Sequence, residues 1–265
     1  MTRTFFGNIG SSFLALCRGL GGFYYLLWDT LRWMVVVPIR GKTKSRRDAT
    51  FEQMVRVGVR SLPVVCLVLT FVGIILSLNM AEILRRFGVT EFLGNVVGVS
   101  IVKELGPLLT AVVMSGYIGA AMAAELGTMR VSEEIMALET SGINPIRFLV
   151  VPRLLATMVM LPCVTIVANI MGILGGMIIA VAVLKMDWLL YVARSYESLE
   201  LSDVFTGLIK AEAFAVVICI IACRQGLTTS EGAEGVGKST TASVVLSVVF
   251  IIVVDCILTA LFYFM

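Results

Sequence analysis

The chain contains no histidine and little charge: only 15% of its 265 residues are Asp, Glu, Lys or Arg, with 21 basic side chains against 18 acidic ones. Without imidazole, the usual general base near neutral pH and the commonest nitrogen ligand for metals are both missing. No Ser or Cys stands beside a plausible base, so covalent catalysis has no support. The six cysteines (Cys17, Cys66, Cys163, Cys219, Cys223 and Cys256) lie inside apolar runs, with no companions at metal-ligand spacing and no extracellular disulfide pattern. Cys219 and Cys223 share a helix face and read as packing thiols. No secretory signal is expected at the N-terminus. The first apolar stretch is broken by Arg18, Asp29 and Arg32, and no small-residue cleavage site follows it. Internal repeats, low-complexity tracts and room for a soluble domain are absent too. The expectation is one membrane domain over residues 1–265, with no metal and no cofactor of its own.

What is present is apolar. Apolar residues make up 58% of the chain and the mean hydropathy is +0.98, which is membrane-protein composition. Five runs are long enough to cross a hydrocarbon core of roughly 30 Å as helices. They cover residues 61–81, 105–124, 154–184, 204–223 and 239–265. The third is long enough to tilt, or to bend at Pro162. The runs are continuous rather than alternating, which excludes the strands of an outer-membrane barrel. Residues 8–37 form a further apolar element in which Phe13, Leu16, Leu20, Tyr24, Leu27 and Leu31 recur at three- and four-residue intervals. That pattern predicts an amphipathic helix in the membrane interface, with a sixth span as the alternative. The fold class is therefore an all-α integral membrane protein with an N-terminal interfacial helix and five transmembrane helices.

Orientation follows the distribution of Lys and Arg. Arg40, Lys42, Lys44, Arg46, Arg47, Arg56 and Arg60 precede the first span, which puts the N-terminus in the cytoplasm and the C-terminus outside. Arg85, Arg86, Lys185 and Arg194 then fall in outer loops, a weaker opposing signal.

Between the second and third spans lies a polar island, residues 125–147. Ser132 is a candidate cap, residues 133–139 favour helix, and Gly142 with Asn144 and Pro145 reads as a stop. An ordered helix at the membrane surface suits docking to a soluble partner better than simple connection. A solvated loop helix is the bland alternative.

Residues 232–239 (GAEGVGKS) match a phosphate-binding loop, and residues 250–255 resemble the apolar run ending in Asp of a second ATPase motif. Such a loop needs a strand before it and a helix after it. Here the flanks are membrane spans, and the Asp lies on the helix that leaves the supposed loop. The expectation is a flexible glycine-rich loop, with Ser239 or Thr240 capping the last span. Charges inside spans are costly and often functional. Lys103 and Glu104 fall at the start of the second span, Lys210 and Glu212 early in the fourth, and Asp255 within the last. They read either as a polar lining for a charged headgroup or as snorkelling and helix pairing. Gly116, Ala120 and Ala124, and likewise Ala168, Gly172 and Gly176, are spaced for close helix approach, within a subunit or across a dimer.

Residues 102–107 (VKELGP), 123–139 (AAELGTMRVSEEIMALE), 144–147 (NPIR), 151–153 (VPR), 207–210 (GLIK) and 235–241 (GVGKSTT) resemble the MlaE/YrbE family of ABC-transporter permeases. The resemblance runs from about residue 50 to the end. It implies a fold similar to type II ABC exporters and a homodimer. It also implies a separate cytoplasmic ATPase dimer, which would use the ATP, and a periplasmic ring of MCE-domain subunits. A small cytoplasmic accessory subunit is compatible with it. The implied activity is phospholipid movement between inner and outer membranes, in support of outer-membrane lipid asymmetry, from a seat in the bacterial inner membrane. By the same resemblance the polar island is a coupling helix, with Glu125, Arg130, Glu133, Glu134 and Glu139 as docking residues. A lipid cavity would involve Lys103 and Glu104 near its mouth and the first span, with Leu76 and Met80. Tyr117 stands where many relatives carry Arg, so a role for that Arg is not transferred. A proton-coupled secondary transporter of a lipid or amphiphile is the alternative, with Lys103/Glu104 and Lys210/Glu212 as the relay. Five spans without a repeat fit it poorly. A scaffold without transport would not need intramembrane charge.

Overall fold

The computed structural model describes residues 21–34, 44–230 and 232–264. These contain helices and no strand. Helix α1 covers residues 21–34. Residues 8–20 and 35–37 of the expected interfacial helix lie outside the described residues. Then follow α2 (Lys44–Met54), α3 (Leu62–Phe87), α4 (Leu93–Ser100), α5 (Gly106–Met114), α6 (Ala120–Val131) and α7 (Glu134–Thr140). The chain ends with α8 (Val151–Ala182), α9 (Trp188–Glu197), α10 (Leu201–Leu227) and α11 (Gly232–Phe264). Wide π-type turns at Val55–Val59, Ile101–Leu105 and Ser115–Gly119 lie within the first two membrane helices, and a fourth at Ile146–Val150 opens the third. Among the described residues five continuous helices are long and apolar enough to cross a membrane: Asp48–Phe87, Thr90–Val131, Ile146–Ala182, Leu201–Leu227 and Gly232–Phe264.

Two boundaries differ from the sequence expectation in ways that matter. The second membrane helix starts at Thr90 rather than near residue 105, because the π-turn at Ile101–Leu105 carries the helix through Lys103 and Glu104. Those two charges are therefore inside a helix rather than at its start. The last helix starts at Gly232 rather than near residue 239. The expected flexible loop is wound into helix, and Ser239 and Thr240 do not cap it. Thr240 Oγ1 donates back to the Val236 carbonyl at 2.7 Å, and Ser239 Oγ accepts from Thr229 Oγ1 at 2.7 Å.

Spans one and three pack backbone against backbone. A Cβ on Gly73 would stand 1.9 Å from the Gly172 carbonyl oxygen, and one on Gly175 would stand 2.2 Å from that of Thr70. Only glycine permits that approach, and it places the α3–α8 contact at the heart of the main apolar core. The other half of the bundle is α6, α10 and α11 in mutual contact. There Gly226 sits against the backbone of Ala123, where a Cβ would come within 2.8 Å of its carbonyl oxygen. Gly116 meets nothing within 4 Å and stays open. A smaller apolar cluster of Leu93, Val97, Ile101, Ala180 and Tyr191 closes the opposite end of the bundle from α7. Pro162 is accommodated within α8, which continues through it. Helix α1 docks on the α10–α11 side: Phe23 packs on Phe250 with ring centroids 5.8 Å apart, and the Arg224 guanidinium stacks 4.0 Å over the Phe23 ring.

Candidate functional site: a buried charge cluster and an exposed turn

Helix α11 is apolar on its outside and polar on its inside. Ser243, Ser247, Ile251 and Asp255, four residues apart, are buried, while Val245, Val249, Ile252, Val253 and Ile257 are exposed. The four-residue stripe therefore faces the bundle, as polar groups must where the surroundings are apolar. It leads to a cluster built from three spans. The Lys210 ammonium, 1% exposed, is ion-paired with the Glu104 carboxylate and with Asp255 at 3.0 Å. It also donates to Thr259 Oγ1 at 2.7 Å. Thr259 in turn donates to Glu104 at 3.3 Å or to the Asp255 carbonyl at 2.8 Å. The Lys210 head is fully engaged, so it does not snorkel. Lys103 does not sit free either: it pairs with Asp203 at 2.9 Å. The closely related reading of Asp255 as a helix-pairing group agrees with this geometry. The stripe Ser243, Ser247, Asp255, Thr259 was the missed signal, a polar repeat at helical spacing inside an otherwise apolar run.

Chemically, one ammonium lies between two carboxylates, about 14 Å along α10 from its start at 1.5 Å per residue. Asp255 is nearly covered, at 12% side-chain exposure, but Glu104 keeps 35%. The cluster is thus sealed on its inner side and open through Glu104. Glu212 is not part of it. On α10 it lies about 200° around the helix from Lys210, half-buried, so the two do not act as a pair. Leu76 and Met80 are not brought to the cluster. They pack against Leu93, Val97, Ile101, Ala180 and Tyr191 instead.

The turn between spans two and three has the opposite character. Glu133 sits in the left-handed region at φ 61°, between the end of α6 and the start of α7. Ser132 does not cap α7 through a backbone bond. Its hydroxyl donates to the Glu134 carboxylate at 3.0 Å, because the sharp turn at Glu133 carries the α7 amides away from it. The stop is built as expected at Gly142, whose φ of 74° allows Ile143 N–H to reach back to the Leu138 carbonyl at 2.9 Å. Asn144 does not end α7. It begins the next helix, its side-chain oxygen accepting from Ile146 N–H at 2.9 Å and Arg147 N–H at 3.2 Å, with Pro145 in the first helical position.

Helix α7 is held by Ile135, 2% exposed, and by Leu138, both packed on the main core. Glu133, Glu134 and Glu139 point outward, and so do Val131, Met136 and Ile143. Arg130, Glu133 and Met136 line a depression of about 380 Å³ completed by Thr228, Ser230 and Gly232 from the turn between spans four and five. Glu125 stands apart from this surface. Its carboxylate is ion-paired with Arg56, and with Arg153 at 3.2 Å. Arg153, 7% exposed, also donates to the Leu149 carbonyl at 2.9 Å. Glu125 thus ties the first, second and third spans together at the root of the turn, and its charge is spent inside the subunit. Sequence reading missed Met136, Val131 and Ile143, since an apolar residue in a short loop carries no signal until its neighbours show it uncovered.

Among the described residues no group of three or more Cys, Asp or Glu is placed to hold a metal ion. The phosphate-loop motif is helical from Gly232, and Lys238 pairs with Glu234 one turn before it at 3.1 Å. The open backbone cradle that such a loop requires is not formed.

Comparison with known proteins agrees with this architecture. The family model for Permease MlaE matches residues 50–261. The chain is 37% identical over 211 residues to the "Probable ABC transporter permease protein RP096" of Rickettsia prowazekii, covering 80% of this chain and 82% of that one. It is 39% identical over 220 residues to the "Probable ABC transporter permease protein slr1045" of Synechocystis, covering 83% and 84%. It is also 35% identical over 225 residues to the chloroplastic protein TRIGALACTOSYLDIACYLGLYCEROL 1 of Arabidopsis thaliana, covering 85% of this chain and 64% of that one. With five membrane-crossing helices and a family match across nearly all of them, this chain belongs to the MlaE family of ABC-transporter permeases.

Proposed function

We propose that this permease moves phospholipid between the inner and outer membranes of a bacterial envelope and so sustains the lipid asymmetry of the outer membrane. ATP is hydrolysed on a separate ATPase dimer. The permease works as a homodimer in the inner membrane, N-terminus in the cytoplasm and C-terminus in the periplasm. A periplasmic MCE-domain ring receives or delivers the lipid, and a small accessory subunit on the cytoplasmic side is compatible with the scheme. The observation that carries the lipid reading is the half-open cluster of Glu104, Lys210, Asp255 and Thr259 within the spans. A charged group left open at that depth suits a passing headgroup better than it suits acyl chains. A relative bearing the name of a galactolipid supports the coarser class, a membrane lipid.

The surface of α7 supports the ATPase reading. It combines outward acids with uncovered Met136 and Val131, on a helix anchored to the core by Ile135 and Leu138. Motion of a docked partner reaches the spans only if the docked element is rigidly joined to them. The Glu125–Arg56–Arg153 ties and the Asn144 cap provide that joint. Glu125 therefore acts in positioning, while Arg130, Glu133, Glu134 and Glu139 remain docking residues.

One ammonium shared by two carboxylates also suits proton exchange, and this favours the proton-coupled secondary transporter as the second reading. The experiment is purification of the tagged chain with its genomic neighbours, followed by transfer of labelled phospholipid between reconstituted vesicles and acceptor particles. ATPase co-purification with ATP-dependent transfer is expected. Transfer driven by a pH gradient and indifferent to ATP would replace the proposal with the second reading.

A further inference from the structure

Helix α9 lies between spans three and four. Its covered side packs on the small apolar cluster and also carries two hydrogen-bonded hydroxyls. Tyr191, 0% exposed, donates its hydroxyl to the Ile173 carbonyl at 3.2 Å, and Ser195 donates to the Gly94 carbonyl at 3.1 Å. Burial pushes the Tyr191 phenol up to about 12, which keeps it a donor. Gly94 lets α9 lie almost on the backbone of α4, since a Cβ there would stand 2.7 Å from the Tyr191 carbonyl oxygen. The outer side is apolar. Trp188, Leu189, Val192 and Tyr196 are 56%, 57%, 45% and 81% exposed, and at about 100° per residue they share an arc of roughly 100°. Charge is kept to the flank: Arg194 pairs with Glu197 at 3.4 Å and Glu91 at 3.9 Å and stacks 5.6 Å over Phe92.

Exposed apolar residues of the adjoining spans flank the arc in sequence on both sides. Ile178, Val181 and Val183 are exposed just before α9, and Leu201, Val204 and Phe205 just after it. It offers no unpaired charge within the arc with which to select a protein partner. Trp and Tyr at the two ends of an apolar arc are the side chains that settle at the membrane–water boundary.

We infer that α9 is a membrane-interface helix, at the end of the bundle opposite α7, with its Trp188–Leu189–Val192–Tyr196 arc inserted into the lipid of that leaflet. The occupant of this face is a lipid surface. Through the α4 contact, the helix ties the segment leading to Lys103 and Glu104 to that leaflet. This rests on the membrane setting of the chain and not on the transport reading.

The test reads Trp188 directly. The chain has three tryptophans, so Trp28→Phe with Trp33→Phe leaves Trp188 as the sole emitter. The full chain is reconstituted in phosphatidylcholine vesicles whose acyl chains carry bromine at shallow or deep positions. Expected are blue-shifted emission, loss of most of it with shallow bromines, a smaller loss with deep ones, and little response to aqueous iodide. Quenching by iodide without quenching by bromolipid would overturn the inference. Blue-shifted emission that neither agent quenches would also overturn it, because a protein surface would then cover the arc. If the double variant folds poorly, the difference between the unmodified chain and Trp188→Phe gives the same reading.

Discussion

The buried cluster around Lys210 and the exposed turn around α7 carry similar side chains and treat them in opposite ways. At Lys210 the ammonium is covered and has three partners drawn from spans two and five. On α7 the carboxylates of Glu133, Glu134 and Glu139 stand in the open beside uncovered Met136. Solvation explains the difference. Within a bilayer a charge without a partner is expensive, so it must be paired inside the protein or meet a polar ligand. Outside the bilayer a carboxylate costs little to expose and can wait for a partner. Glu125 shows where one regime passes into the other: it stands eight residues before Glu133 in sequence, yet it is paired with Arg56 and Arg153.

This contrast is breakable in order of effect on stability. Lys210→Met should be the most damaging, since it strands Glu104 and Asp255 within the spans. Breaking a buried pair typically costs about 3–5 kcal/mol. Thermal unfolding in detergent should show it, and adding Glu104→Gln with Asp255→Asn should recover much of the loss without recovering transport. A Lys210→Met chain as stable as the parent would mean the cluster is not paired as described.

Next comes Arg153→Leu. Glu125 keeps Arg56 but loses one charged hydrogen bond, so the cost should be about 1–3 kcal/mol, read from the same unfolding experiment. A loosened joint should also lower ATP-driven transport more than it lowers ATPase binding.

Glu133→Lys with Glu134→Lys should hardly change stability, because both side chains are exposed. Its effect should fall on the complex instead: the ATPase should dissociate during purification and lipid transport should stop. Normal co-purification and transport in this double variant would move the docking surface away from α7.

Smallest of all should be Lys238→Ala. Its pair with Glu234 leaves the Lys238 side chain 63% exposed, and solvent screening holds such pairs within about 0.5 kcal/mol. ATP binding by the isolated chain is expected to be undetectable before and after the change. Saturable binding that this substitution removes would revive the phosphate-loop motif.

Much of the fold was legible because each span had to include about 20 predominantly apolar helical residues to cross the hydrocarbon. Gly142 was legible as a stop because only a few residues adopt left-handed backbone readily. Ser132 misled because a capping side chain works only if the next amides point at it, and the left-handed Glu133 turns them away. Lys103 and Glu104 misled for a related reason: charge was taken to mark a helix end, whereas the π-turn keeps the helix going and lets Glu104 and Lys103 find Lys210 and Asp203. Resemblance assigns Leu76 and Met80 to a lipid cavity, because an evenly apolar run does not show which side chains they pack on; in the structure they pack on the cluster around Tyr191.

The amino-acid sequence by itself determined that this protein is helical, crosses the membrane, lacks imidazole chemistry and presents an ordered polar turn. Those properties depend on composition and local periodicity, which act over a few turns of one helix. Tertiary structure alone decided which charges are spent and which are free. Lys210 meets Glu104 and Asp255 across 106 and 45 positions of sequence, and the contact exists only once glycine-lined spans have closed on one another. Pairing energy at that separation depends on distance and burial, and no local pattern in the chain encodes either.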